Sequence, residues 1–134
     1  MGMYTELVIS TRIVDDPKVI EILSYMGGKT EKPDIIPDHP FFKTQRWEYM
    51  FQSASYYFIP STAFVLEYDS ISKDWSLIVR CDFKNYDDEI NQFVSWIRPY
   101  LDRHSGEMFA YSRYEESLSP TIHYAYRDEP TSNS

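Results

Sequence analysis

The feature that most constrains the fold is a pair of runs rich in β-branched and aromatic residues, separated by six turn-forming residues. The runs are T-A-F-V-L-E-Y (62–68) and W-S-L-I-V-R-C-D-F (75–83), joined by D-S-I-S-K-D. Along the second run, apolar side chains point one way: Trp75, Leu77, Val79, Cys81 and Phe83. The polar residues Ser76, Arg80 and Asp82 point the other way, interrupted by Ile78. The sequence predicts an antiparallel hairpin with one dry and one largely wet face.

Three further segments have the composition of strands. T-E-L-V-I-S-T-R-I (5–13) alternates at period two, with apolar residues on one side. Near the C-terminus, M-F-A-Y-S-R-Y-E (108–115) and T-I-H-Y-A-Y-R (121–127) flank a turn at S-L-S-P. These segments and the hairpin predict a mostly antiparallel sheet.

Two helices are marked by their ends. D-D-P-K-V-I-E-I-L-S-Y-M-G-G predicts a helix with Asp16 at the N-cap, Pro17 at the first position and Gly27 or Gly28 as the left-handed cap. The second helix starts at N-Y-D-D-E, with Asn85 or Asp87 as cap, and carries an apolar stripe of Ile90, Phe93, Val94, Ile97 and Leu101. The acidic residues 87–89 lie where the positive end of the helix dipole favours carboxylates. Pro99 predicts a kink or break of the helix near Arg98, and Gly106 marks the predicted end.

The order of elements predicts an α+β domain. It has a mostly antiparallel β-sheet of five or six strands with two α-helices packed on one face. The whole chain, residues 1–134, fits a single domain. Met1-Gly2 ahead of Met3 is typical of a cloning remnant, and the polar tail 128–134 is expected to be disordered.

Between the first helix and the hairpin lie two unusual segments. The proline-rich loop (residues 33–43) contains Pro33, Pro37 and Pro40, which disfavour an ordered helix, and Phe41 and Phe42 are expected to pin it to the core. The aromatic segment (residues 45–58) fits both helix and strand periodicity. We favour a short helical turn to about residue 52, followed by a strand that Pro60 stops.

Composition excludes several classes of function. With 13 Lys and Arg against 21 Asp and Glu, the net charge of −8 repels nucleic acids and anionic membranes and attracts basic partners. The single cysteine, Cys81, cannot form an internal disulfide; it indicates a reducing cytoplasm and a buried, inert thiol. No run of about 18 apolar residues and no signal peptide is visible.

No motif of high chemical specificity is present. The three histidines, at 39, 104 and 123, lack metal-ligand spacing, and there is no glycine-rich phosphate loop or nucleophile motif. We therefore predict no catalytic residues, no metal and no cofactor.

The candidate binding residues come from the aromatic segment and the adjoining loop. Twelve tyrosines exceed what a core of this size can bury with every hydroxyl bonded, so several must reach the surface. The first candidates are Arg46, Tyr49, Tyr56 and Tyr57, to which His39 and Trp47 are added. Either periodicity places Trp47 with Phe51 on an apolar face, so these two are expected to serve the core.

Four stretches carry a resemblance to a known group of proteins. They are M-Y-T-E-L-V; H-P-F-F-K-T-Q-R-W with S-Y-Y-F; K-N-Y-D-D-E-I-N-Q-F-V-S-W-I-R-P-Y with S-G; and Y-E-E-S-L-S-P-T-I-H-Y. On these, the chain resembles a family of small uncharacterised proteins encoded by bacteriophages and prophages. The family has no known activity to transfer. The resemblance implies a setting in which small acidic proteins often bind and block a host protein.

Two hypotheses follow. The first is a non-enzymatic, cytoplasmic protein–protein interaction module that binds or inhibits a host protein with a basic surface. The alternative is a nucleotide- or sugar-binding protein or enzyme with a pocket between the loop 33–43 and the segment 45–58. The sequence leaves the oligomeric state open, a dimer included.

Overall fold

The computed structural model describes residues 4–53, 62–85, 87–102, 108–114 and 119–124. Its strands and α-helices are β1 (Thr5–Val14), α1 (Pro17–Met26), β2 (Ala63–Asp69), β3 (Asp74–Phe83), α2 (Glu89–Ile97), β4 (Met108–Tyr114) and β5 (Thr121–Tyr124). Short 3-10 helices lie at Pro40–Lys43, Trp47–Gln52 and Arg98–Tyr100.

The five strands form one antiparallel sheet in the order β2-β3-β1-β4-β5. β1 is central, and its Leu7 lies opposite Cys81 of β3 and Ser112 of β4. The predicted α+β class is confirmed. The strand predicted after residue 52 lies outside the described residues.

One face of the sheet carries the core. Leu7, Ile9 and Ile13 of β1 are fully buried, in one cluster with the apolar residues of both helices. The opposite face is more open, and Ile78 in β3 is 45% exposed there. The helices therefore cover a single face, because only that face presents a continuous apolar surface.

The first helix begins and ends as its sequence predicts. The Asp16 carboxylate accepts hydrogen bonds from the backbone N–H groups of Lys18 and Val19. At the other end Gly28 adopts φ +77°, and its N–H donates to the carbonyl of Tyr25. Lys29 N–H donates to the Ser24 carbonyl, which completes a Schellman motif.

The second helix is shorter than its apolar stripe predicts. It ends at Ile97, and Pro99 lies in the 3-10 turn that follows, so the predicted break is confirmed. Leu101 is not helical; it forms a β-bridge with Ile13 of β1. The residue at the N-cap position of α2 is Asp88 rather than the predicted Asn85 or Asp87, although the Asn85 side chain accepts the Ile90 N–H at 2.9 Å.

Both segments between α1 and β2 contain helical turns. The turn expected to about residue 52 is the 3-10 helix Trp47–Gln52. The proline-rich loop was expected to lack helix, yet it contains the 3-10 helix Pro40–Lys43, since proline fits the first helical position. Phe41 is fully buried there, as predicted, with ring centroids 5.0 Å from Phe42 and 5.4 Å from Phe93.

The prediction of a largely wet polar face on β3 is wrong at its C-terminal end. Asp82 has no exposed surface, and Arg80 is mostly covered. The Arg80 guanidinium lies 2.8 Å from an Asp82 carboxylate oxygen and 2.9 Å from Glu6 of β1. These opposite charges satisfy one another, which allows them to be buried.

Candidate functional site

Trp47, one of the predicted binding residues, belongs to the core. Its ring centroid lies 4.8 Å from that of Phe42 and 6.0 Å from that of Phe41. Tyr25 of α1 adds an edge contact at 5.9 Å. Trp47 and Phe51 are both buried, as their shared apolar face predicted. Aromatic rings thus pack directly between the proline-rich loop and the start of the aromatic segment.

Arg46 lies next to a buried acid that the sequence did not single out. Its Nη1 atom is 3.9 Å from Oε2 of Glu89, which has no exposed surface. The other carboxylate oxygen of Glu89 accepts a hydrogen bond from the Asp87 N–H. From sequence, Glu89 was interpreted only as a favourable charge at the helix start. Its spacing of four from Phe93, on the buried stripe, was the signal that could have identified it.

The remaining predicted residues do not converge on one site. His39 uses its Nδ1 atom to accept the Phe41 N–H at 3.0 Å, which caps the 3-10 helix 40–43. Tyr49 is 55% exposed and stands on the surface. Tyr56 and Tyr57 lie outside the described residues. Among the described candidates, Tyr49 therefore offers the most open side chain.

The pocket predicted between the loop 33–43 and the segment 45–58 stays a prediction, because residues 54–58 lie outside the described residues. A cleft adjoins the proline-rich loop, with α1 as its opposite wall. Its volume is about 490 Å³. The loop supplies one side, the first turns of α1 supply another, and the end of α2 with the following turn supplies the rest. Its lining consists of Asp16, Lys18, Val19, Glu21, Ile22, Asp34, Ile35, Pro37, Trp96 and Tyr100. We refer to it below as the acidic cleft.

The acidic cleft combines apolar and negatively charged surface. Val19, Ile22 and Trp96 are buried residues of the core, and the cleft opens onto them. Glu21 and Asp34 are exposed carboxylates that make no hydrogen bond or ion pair within the described part of the chain. Ile35 stands beside them, 81% exposed. The arrangement offers apolar contact together with an excess of negative charge, because three carboxylates line the cleft with one ammonium, that of Lys18.

Trp96 is held in place by other aromatic rings of the core. Its ring stacks on Phe41 with an interplanar angle of 17° and meets Phe42 edge-on at 5.0 Å. Tyr100 lies 6.0 Å from it on the following turn and is half-buried. Aromatic packing therefore fixes the wall of the acidic cleft.

A serine and a histidine meet on the core side of β4 and β5. Ser112 Oγ lies 3.0 Å from His123 Nε2, and both residues are buried. Burial, with a smaller contribution from the nearby Arg98 charge, lowers the pKa of His123. A hydroxyl beside a neutral imidazole resembles a nucleophile–base pair. Because neither group is open to solvent, we assign the pair to satisfying buried polar atoms.

None of the described helices is long and apolar enough to cross a membrane. Within the same residues, no three His, Cys, Asp or Glu side chains are grouped closely enough to hold a metal ion.

The chain matches no protein-family model, no curated protein and no solved structure. The resemblance to phage and prophage proteins therefore stays a prediction.

Proposed function

We propose that the protein is a non-enzymatic interaction module that binds a basic partner protein through the surface around the acidic cleft. The observation that carries this proposal is a pair of carboxylates, Glu21 and Asp34, that have no partner among the described residues and lie beside the exposed Ile35. Apolar surface rimmed by polar residues marks interaction sites when it is extended, and here Ile35 is continued by Pro37 and the other apolar residues that line the cleft. Unpaired charge of one sign steers a partner of the opposite sign toward it.

The whole-chain charge acts in the same direction. A net charge of −8 creates a long-range field that raises the association rate of a basic protein and lowers that of nucleic acids. If the resemblance to phage proteins holds, the partner is a host protein in the bacterial cytoplasm, and binding inhibits it.

The experiment is capture from bacterial lysate with the tagged, full-length chain at low ionic strength, followed by quantitative mass spectrometry. The test variant carries Glu21→Gln and Asp34→Asn. The matched control carries Glu31→Gln and Glu67→Gln, which removes the same charge at two exposed positions outside the cleft lining. We expect a basic protein that the wild type and the control retain and the test variant releases. Equal recovery by both variants, or no protein above background, would overturn the proposal.

A second candidate is the binding of a small ligand, favoured by the volume of the cleft. Ligand sites commonly measure about 300–1,000 Å³, and the acidic cleft falls within that range. Its carboxylates disfavour nucleotide phosphates and can accept hydrogen bonds from sugar hydroxyls. Thermal-shift screening against sugars, nucleotides and cyclic dinucleotides tests this candidate, and no shift at saturating ligand would exclude it.

A further inference from the structure

We propose that the acidic cleft admits an arginine side chain of the partner. This inference rests on the proposed function, because it names the group of the partner protein that enters the cleft. Three features of the cleft support it: an apolar base, an aromatic wall and carboxylates on two sides.

The first feature is the apolar base. Long basic side chains bury their methylene stems along apolar surface while their charged heads stay near water or an acid. Val19 and Ile22, one turn apart on α1, provide such a surface, and Pro37 faces them from the loop. A purely hydrophobic side chain would fill the base but leave the carboxylates unused.

The second feature is the aromatic wall, in which Tyr100 is half-buried and Trp96, only 5% exposed, lies behind it in the core. Cations stack favourably on aromatic rings, and guanidinium does so more often than ammonium because it is planar and weakly hydrated. Trp96, which Phe41 and Phe42 fix, lies 6.0 Å from Tyr100 and supports it, so little side-chain freedom is lost when a ligand packs against this wall.

The third feature is charge supplied by separate elements. Glu21 belongs to α1, whereas Asp34 belongs to the proline-rich loop. A guanidinium has five N–H donors in a planar fork and can contact acceptors on two sides, whereas an ammonium acts as a point charge. Lys18 also lines the cleft, but the carboxylates of Asp16, Glu21 and Asp34 outnumber its single ammonium.

The test is NMR titration of the isotopically labelled full-length protein with the blocked peptide Ser-Gly-Arg-Gly-Ser. Two matched peptides replace the arginine with lysine or with citrulline, its neutral isostere. We expect the arginine peptide to shift the Trp96 indole N–H and the amides of residues 18–22 and 34–36. The lysine peptide should bind more weakly, and the citrulline peptide should produce no saturable shift.

The charge variants sharpen the test. Glu21→Gln with Asp34→Asn should weaken arginine-peptide binding by about fivefold or more, whereas Glu31→Gln with Glu67→Gln should change it by less than about twofold. Three results would each overturn the inference: shifts of equal size with citrulline, shifts confined to residues outside the cleft, or no saturable shift with the arginine peptide.

The two proposals can fail separately. If the peptide does not bind but lysate capture still depends on Glu21 and Asp34, the interaction module stands and the arginine inference is overturned. If the peptide binds at the cleft but no basic protein is captured, the arginine site stands and the proposed function is overturned.

Discussion

The hydroxyl of Tyr25 donates a 2.5 Å hydrogen bond to a carboxylate oxygen of Glu48, which ties α1 to the 3-10 helix 47–52. The other Glu48 oxygen lies 3.2 Å from the Lys32 ammonium. Tyr25 first, and Lys32 after it, lower the pKa of Glu48 against the opposing effect of burial. The bond to Glu48 is also the main reason why the pKa of Tyr25 is raised.

Tyr25→Phe should destabilise the protein by about 1–2 kcal/mol. Hydrogen bonds to charged groups contribute about 1.5–3 kcal/mol, and partial exposure of this pair reduces that figure. Urea unfolding monitored by circular dichroism measures the change. The matched control is Tyr49→Phe, whose hydroxyl has no partner in the described part of the chain and whose removal should cost less than about 0.5 kcal/mol. Equal losses in the two variants would contradict the assignment.

Arg46→Met should destabilise the protein by about 1–3 kcal/mol because it leaves the buried Glu89 carboxylate without its nearest cation. The double variant Arg46→Met with Glu89→Gln should recover more than half of that loss, since the buried charge is then gone. A double-mutant cycle in urea measures the coupling. If Arg46→Met leaves stability unchanged but abolishes partner capture, Arg46 serves binding, as the sequence first indicated.

Stability should decline as the pH falls below about 6.5, because His123 has a lowered pKa in the folded protein. In this window the unfolded chain takes up a proton that the buried imidazole does not accept, so the unfolded state binds more protons. The free energy of unfolding therefore falls as the pH is lowered, by at most about 1.4 kcal/mol per pH unit for this one group.

The measurement for His123 is the free energy of unfolding as a function of pH for the wild type and for His123→Gln. The other two histidines are present in both proteins, so their contribution cancels in the difference. The variant should show a flatter profile below about pH 6.5. If the free energy of unfolding changes with pH equally in both proteins, His123 is not the cause of the pH dependence.

Cys81 should not react with a thiol reagent such as Ellman's reagent while the protein is folded. The thiol is fully buried, and burial strongly raises its pKa, so little thiolate forms and the reagent has no access. Unfolding in guanidinium should release one reactive thiol per chain. Fast reaction of the native protein would mean that β3 opens readily.

The elements that could be predicted are those with capping residues at their ends and apolar residues at a regular spacing. The capping of α1 by Asp16 and Gly28 is local chemistry, so the sequence specifies it directly. The break at Pro99 is likewise local. The burial of Asp82 was not predictable, because the Arg80 guanidinium that pairs with it is also bound by Glu6 of the neighbouring strand β1.

The candidate site was harder to predict for the same reason. The acidic cleft joins residues of α1, the proline-rich loop and the end of α2, and no spacing in the sequence brings these together. The pocket predicted from the sequence lies between the same loop and the aromatic segment, and it stays a prediction because residues 54–58 lie outside the described residues. At the start of that segment, Trp47 packs with Phe41 and Phe42.

The central position of β1 has a consequence for how the chain folds. Its partners β3 and β4 are separated from it by roughly 60 to 110 residues along the chain. Pairing such distant strands costs loop-closure entropy before the stabilising contacts form. The domain should therefore fold on the millisecond-to-second scale of β-rich proteins rather than in microseconds. Until β3 and β4 dock, β1 presents two unpaired edges, so the interval before docking is when the chain is most exposed to aggregation.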